Sequence, residues 1–235
     1  GILVSFDGTD HYKLTVDVYE QVCKECSRLI TNRYSTSFSL GIKLFAKEYR
    51  CPIYSIYGFV RFADEIVDTF HEFDKRKLLN EFRQDTFKAI KEGISLNPVL
   101  QSFQQVVNQY NIDYELIDAF MDSMEMDLTD VEYNQPLYKQ YIYGSAEVVG
   151  LMCLKVFCHG DDAQYKDLKE QAKALGSAFQ KINFLRDIRD DYYDKGRTYF
   201  PGISIDNFDN EQKKEIEEDI ALDFQMGLEG IRKLP

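Results

Sequence analysis

The chain has 235 residues, of which 44% are hydrophobic and 14% aromatic, so it can bury a packed core and is not a disordered chain. Its 28 Lys and Arg against 40 Asp and Glu leave a net charge of −12, which excludes the basic footprint of a sequence-independent nucleic-acid binder. An acidic chain still binds anionic substrates where its carboxylates first collect divalent cations.

From the N-terminus, "VYEQVCKECSRLI" reads as a helix that carries Cys23-x-x-Cys26, and "STSFSLGIKLF" follows it. The five cysteines include no second C-x-x-C, and Cys158 has only His159 beside it, so buried thiols are expected rather than a zinc or redox site. "PIYSIYGFVRFADEIVDTF" is an apolar helical run interrupted by Arg61, Asp64, Glu65 and Asp68. "VLQSFQQVVNQY" puts Val99, Leu100, Phe103, Val106, Val107 and Tyr110 on one stripe, with Asn97 as cap and Pro98 as first helical residue. "YELIDAFMDSMEMDL" repeats that spacing. "LYKQYIYGSAEVVGLMCLKVF" is apolar nearly all round and predicts one helix buried on most faces. The run 166–195 reads as a single long helix, "YFPGISIDNFDN" breaks it, and 211–234 is helical again. Alternating strands, a Gly-rich phosphate loop, internal repeats and a Ser/Gly/Pro linker are all missing from the pattern. The expectation is a single all-α domain over 1–235, with antiparallel helices on short loops. The sequence contains neither a signal-peptide pattern nor a membrane-length apolar run, so a cytoplasmic location is expected.

Two acidic clusters stand out. Asp64 and Asp68 are four apart and share a helix face, with Tyr57 and Arg61 on the turns before them. Asn183, Asp187 and Asp191 repeat the spacing, with Gln180 one turn earlier and Arg186 and Arg189 adjacent. Each cluster alone is more often a solvated face laced with ion pairs. Like charges at i and i+4 repel, and two such pairs on largely apolar helices make sense if they face each other across a cavity and share cations. All-oxygen ligands suit a hard ion such as Mg²⁺, which binds one or two carboxylates plus substrate phosphates. The implied partner is a diphosphate.

"YGFVRFADEIVD" resembles the first aspartate-rich motif of the squalene/phytoene synthase family, and "AFQKINFLRDIRDD" resembles the second. "STSFSLGIKLF" resembles the family's serine-phenylalanine signature, and "YIYGSAEVVGLM" its Tyr-Cys-x-x-Val-Ala-Gly-x-Val-Gly segment, matching at Tyr141, Ala146, Val149 and Gly150. The sequence departs from the pattern with Ile142 for cysteine, Glu147 for glycine and one extra residue between Asp191 and "GRTYFP". The resemblance implies an isoprenoid-synthase helical bundle around a central cavity, with further C-terminal helices beyond Pro235. It implies head-to-head condensation of two prenyl diphosphates by a Mg²⁺-dependent prenyltransferase, with Mn²⁺ as the alternative ion. Carried over residue by residue, Asp64, Asp68, Asn183, Asp187 and Asp191 become metal ligands. Arg61, Arg186, Tyr57 and Tyr141 become catalytic, and Ser35, Ser37, Phe38, Phe179, Gln180 and Arg197 bind substrate. The overall run looks most like bacterial phytoene synthases of carotenoid biosynthesis, which act on geranylgeranyl diphosphate. A squalene or dehydrosqualene synthase acting on farnesyl diphosphate is the alternative, and a non-catalytic assembly factor of the same fold is the rival from another class. Peripheral membrane association for product release is expected. Gly150 and Gly176, inside helical patterns with Ala146 and Ala174 nearby, leave either close helix packing or depth for a twenty-carbon chain.

Overall fold

The computed structural model describes residues 8–129, 133–195, 199–203 and 208–234, with backbone alone for helical residues 8–15 and 189–195. In chain order the helices are α1 (Gly8–Tyr34), α2 (Thr36–Leu44), α3 (Lys47–Asp68), α4 (Lys75–Glu92), α5 (Pro98–Tyr110), α6 (Tyr114–Asp127), α7 (Gln135–Ile142), α8 (Val148–Phe157), α9 (Asp162–Lys195) and α10 (Asn210–Ile231). A π-helical turn, Tyr143–Glu147, joins α7 to α8. The described residues contain no strand. They form two compact units, one of residues 1–65 and 80–109 and the other of 66–79 and 110–235.

The first unit is built on the apolar stripe of α3. Ile53, Ile56, Phe59 and Ala63 recur at helical spacing and are buried. The Phe59 ring stacks on Phe103 of α5 at 3.9 Å and on Phe82 of α4 at 5.7 Å. α3 lies close against α1 at Gly58, where a Cβ would come within 3.1 Å of the Ser27 hydroxyl oxygen. That hydroxyl is satisfied by Ser102 at 2.6 Å, so the polar group costs little in the core. α2 starts at Ser35, whose side chain accepts the Phe38 N–H at 3.2 Å. α5 starts as expected, with the Asn97 side chain accepting from the Val99 and Leu100 amides ahead of Pro98. α4 is a helix that its many charges obscure in the sequence. Its buried residues Leu79, Phe82, Thr86, Ala89 and Ile90 still keep the 3.6-residue period. The cysteines are free thiols, with Cys23 and Cys158 buried.

In the second unit the expected single helix over 137–157 is divided. The π turn inserts at "YGSAE", where neighbouring backbone approaches closely. A Cβ on Gly144 would stand 2.4 Å from the Ala119 carbonyl oxygen of α6, and one on Gly176 would stand 2.6 Å from the Ala146 carbonyl oxygen. Gly150 meets the Ala172 carbonyl oxygen of α9 in the same way, at 2.7 Å. Gly150 and Gly176 are therefore helix-packing contacts, and they do not open depth for a longer chain. α9 is tied to α10 by Lys181, which donates to Asp219 at 2.6 Å and Asp223 at 2.7 Å, and by Ser177, which donates to Asp223 at 2.7 Å. An aromatic cluster of Tyr133, Tyr141, Phe184, Tyr199 and Phe200 closes over Ile216 and Ile220 of α10. No described helix is long and apolar enough to cross a membrane.

Candidate active site

On α3 the expected polar line is continuous. Tyr57, Arg61 and Asp64 are half-buried at successive turns, and Asp68 is exposed at the helix end. Arg61 lies 4.5 Å from the centre of the Tyr34 ring and pairs with Glu65 at 2.6 Å. Tyr57 stacks on Phe38 of α2 at 4.8 Å. Burial pushes the Tyr57 phenol up, while its hydrogen bond with Ser35 and the Arg61 charge oppose that and Asp64 adds to it. Ser35, Phe38, Tyr57, Arg61 and Asp64 thus form one cluster in the first unit. Ser35 serves it twice, as cap of α2 and as partner of Tyr57. Ser37 is exposed on α2.

The second motif sits on α9, in the second unit. Asn183 is exposed and donates to Gln180 at 3.5 Å, and Gln180 donates to Ser145 of the π turn at 3.0 Å. Asp187 is half-buried and accepts both Nε and Nη2 of Arg186, at 2.6 and 2.5 Å. Phe179 is exposed and meets Phe224 of α10 edge-on at 6.3 Å. Tyr141 is buried at the end of α7 and donates to the Asp127 carboxylate at 2.8 Å. Burial first, then the Asp127 charge, holds its phenol well above the ordinary range. Tyr199 reaches the same carboxylate at 3.5 Å and lies 5.3 Å from Tyr141, ring centre to ring centre. The Asp191 side chain and Arg197 lie outside the described residues.

Sequence reasoning missed Asp127, because α6 was read for its apolar stripe alone. Glu115, Asp118, Asp122 and Glu125 stand on the same helix, with Glu115 and Asp122 exposed, so no local signal singles Asp127 out. Glu147 closes the π turn among Lys173, Lys181 and Asp223, and burial raises its carboxyl pKa, with the Lys173 charge opposing. Among the described residues no three His, Cys, Asp or Glu side chains stand together as a preformed metal cage. α3 and α9 each carry oxygen donors spaced four apart along the helix. Oxygen donors of this kind suit a hard divalent ion.

The family model described as squalene/phytoene synthase matches residues 31–223. The chain belongs to the squalene/phytoene synthase family. The family's homologues are prenyltransferases, and the family supports head-to-head condensation of prenyl diphosphates. The chain is 26% identical to a 4,4'-diapophytoene synthase of Staphylococcus haemolyticus over 213 residues, covering 87% of this chain and 70% of that protein. It is 29% identical to a phytoene synthase of Arthrospira platensis over 187 residues, covering 75% and 60%, and 28% identical to phytoene synthase 2 of rice over 200 residues, covering 83% and 48%. Against two of these three curated relatives, the chain spans less than two thirds of the relative's length. Among solved structures, a dehydrosqualene synthase in complex with a ligand superposes with a TM-score of 0.80 at 19% identity, covering 92% of this chain and 79% of that one. Squalene synthase HpnC from Alicyclobacillus acidocaldarius gives 0.80 at 21%, covering 93% and 86%. At these identities the structural likeness establishes the squalene/phytoene synthase fold.

Proposed function

We propose that this family member condenses two geranylgeranyl diphosphates head to head to phytoene, in carotenoid biosynthesis. The reading is carried by the cluster of Ser35, Phe38, Tyr57, Arg61 and Asp64, in which an arginine and a carboxylate sit beside two stacked aromatic rings. The two phytoene synthases among the relatives favour the twenty-carbon substrate. A fifteen-carbon substrate, farnesyl diphosphate, is the second reading, favoured by the match to a diapophytoene synthase along 87% of this chain. Intact acidic pairs on both α3 and α9 speak against a non-catalytic assembly factor.

Asp64, Asp68, Asn183, Asp187 and Asp191 would hold magnesium, or manganese in its place. When bound, the metal supplies Lewis-acid neutralisation of the departing diphosphate. Arg61 and Arg186 are guanidinium donors for diphosphate oxygens, and Ser35, Ser37, Gln180 and Arg197 orient the substrate. The C–O bond breaks with its electron pair leaving on diphosphate. The double bond of the second substrate captures the allylic cation, and loss of a proton closes a cyclopropyl diphosphate. A second ionisation, rearrangement and proton loss give the hydrocarbon. The faces of Phe38, Tyr57, Tyr141 and Phe179 tolerate the positive charge and exclude water. Tyr57 and Tyr141, both pushed up by burial, stay protonated throughout the neutral range. Peripheral membrane association belongs to the same reading, because so apolar a product has to leave for a lipid phase.

The test is to incubate the protein with each prenyl diphosphate and Mg²⁺ and identify the extracted hydrocarbon. Phytoene from geranylgeranyl diphosphate is expected. Preference for farnesyl diphosphate in direct competition, or squalene formed when NADPH is added, moves the assignment to the second reading. No hydrocarbon from either substrate, with the helical spectrum intact, overturns both.

A further inference from the structure

The second unit places a carboxylate where a charge is unfavourable. Asp127 is half-buried at the last position of α6. The C-terminal end of a helix dipole is itself negative, and partial burial adds a desolvation cost. Each carboxylate oxygen takes one tyrosine. Oδ2 accepts from the buried Tyr141 hydroxyl at 2.8 Å, and Oδ1 takes a longer contact from the Tyr199 hydroxyl at 3.5 Å. A neutral amide could accept from both hydroxyls, so the charge itself asks for a reason. The rings held in this way are closely packed. Tyr141 and Tyr199 lie 5.3 Å apart, centre to centre, and Tyr199 stacks on Phe184 of α9 at 4.2 Å with the planes within 3°. Tyr133 meets Tyr141 edge-on at 5.4 Å.

Two effects reach Tyr141 through its bond to Asp127. The bond fixes the ring, because any other rotamer would leave a buried hydroxyl and a half-buried carboxylate without each other. A phenol that donates to a carboxylate also gains electron density, which deepens the negative ring face that draws a cation. Burial first, then the Asp127 charge, keeps the proton on Tyr141, so the hydroxyl stays the donor. We propose that Asp127 is a positioning residue for the condensation, acting through the Tyr141 hydroxyl to hold that ring and to enrich its face toward the allylic cation. The arrangement also answers a chemical hazard. A carboxylate in contact with an allylic cation captures it as an ester, whereas a carboxylate engaged by two phenols lends its charge through a ring that does not react. The proposal rests on the reading of Tyr141 as a catalytic ring.

The test is a double-mutant cycle on turnover with Mg²⁺, using geranylgeranyl or farnesyl diphosphate, whichever the wild type turns over faster. The four proteins are the wild type, Asp127→Asn, Tyr141→Phe and the double variant. Asn keeps an oxygen for the Tyr141 hydroxyl and removes only the charge. A charge-assisted hydrogen bond is roughly twice as strong as a neutral one. Asp127→Asn is therefore expected to lower kcat about tenfold with KM unchanged. In the Tyr141→Phe background the same substitution should cost nothing further. A wild-type kcat in Asp127→Asn beside a slow Tyr141→Phe overturns the proposal and leaves the reading of Tyr141 standing. Losses that multiply in the double variant also overturn it, because Asp127 would then act by another route, packing included. A wild-type kcat in Tyr141→Phe overturns the reading of Tyr141 and the proposal with it. A Raman difference spectrum between wild type and Tyr141→Phe checks the bond without turnover and without altering Asp127. It isolates the Tyr141 Fermi doublet, whose intensity ratio reports how strongly a phenol donates. The ratio of a strong donor is expected, and that of a free or accepting phenol overturns the proposal.

Discussion

Asp68 and Asp187 do little for stability where they stand. Asp68 is exposed at the end of α3 with Asp64 one turn away, and half-buried Asp187 pairs with its exposed chain neighbour Arg186. A like charge at i−4 repels, and an exposed ion pair stabilises by less than about 1 kcal/mol. Replacing either residue by Asn keeps its shape and removes its charge. Asp68→Asn and Asp187→Asn are each expected to change stability by less than about 0.5 kcal/mol and to lower turnover on the order of 10²- to 10³-fold, as for the loss of one electrostatic partner of a leaving group. Urea melts alongside rates at saturating Mg²⁺ check this. Normal rates in either variant would return that aspartate to the solvated-face reading.

The π turn at Tyr143–Glu147 shows why one apolar run does not make one regular helix. Its sequence is helical in period, but α6 and α9 press on it at Gly144 and Gly176, and the backbone accommodates them with an extra residue in one turn. The same insertion aims Ser145 at Gln180, linking the "YIYGSAEVVGLM" segment to the helix that carries the second acidic motif. In an exposed helix Gly176→Ala would stabilise by about 1 kcal/mol. Here the added Cβ meets a backbone oxygen at 2.6 Å, and backbone cannot rotate away as a side chain can. We expect a net loss of about 1–2 kcal/mol by chemical denaturation, with the ratio of geranylgeranyl to farnesyl turnover unchanged. A variant of unaltered stability whose preference moved to the shorter substrate would restore the view that these small residues set chain length.

For the molecule as a whole, a hard ion such as magnesium is held by one or two carboxylates and completes its shell with substrate phosphates, so the protein's own affinity for magnesium alone is expected to be low. Magnesium and diphosphate should then bind together. Magnesium alone, or chelation with EDTA, should move Tm by less than about 1 °C. Magnesium with inorganic diphosphate at a hundredfold excess over Kd adds about 2.7 kcal/mol of linkage, a rise of several degrees for a chain of this size, roughly 5 °C. Differential scanning fluorimetry reads all three conditions. An equal rise with magnesium alone would mean that the protein ligands suffice.

The all-α class, the order of most helices, the cap at Asn97 and the two acidic faces were legible in the sequence. Each depends on residues three or four apart, which a helix brings together whatever else surrounds it. The four-residue spacing of Asp64 with Asp68, and of Asn183 with Asp187, is a local property of this kind. The partners of those residues are not local. Tyr34 over Arg61, Phe38 stacked on Tyr57, Asp127 beneath Tyr141 and Ser145 beside Gln180 join residues that only tertiary packing brings together. The role of the glycines was undecidable for the same reason. A missing side chain leaves equal room for a ligand or for a neighbouring backbone, and only the packed helices show that at Gly150 and Gly176 a carbonyl oxygen takes the space.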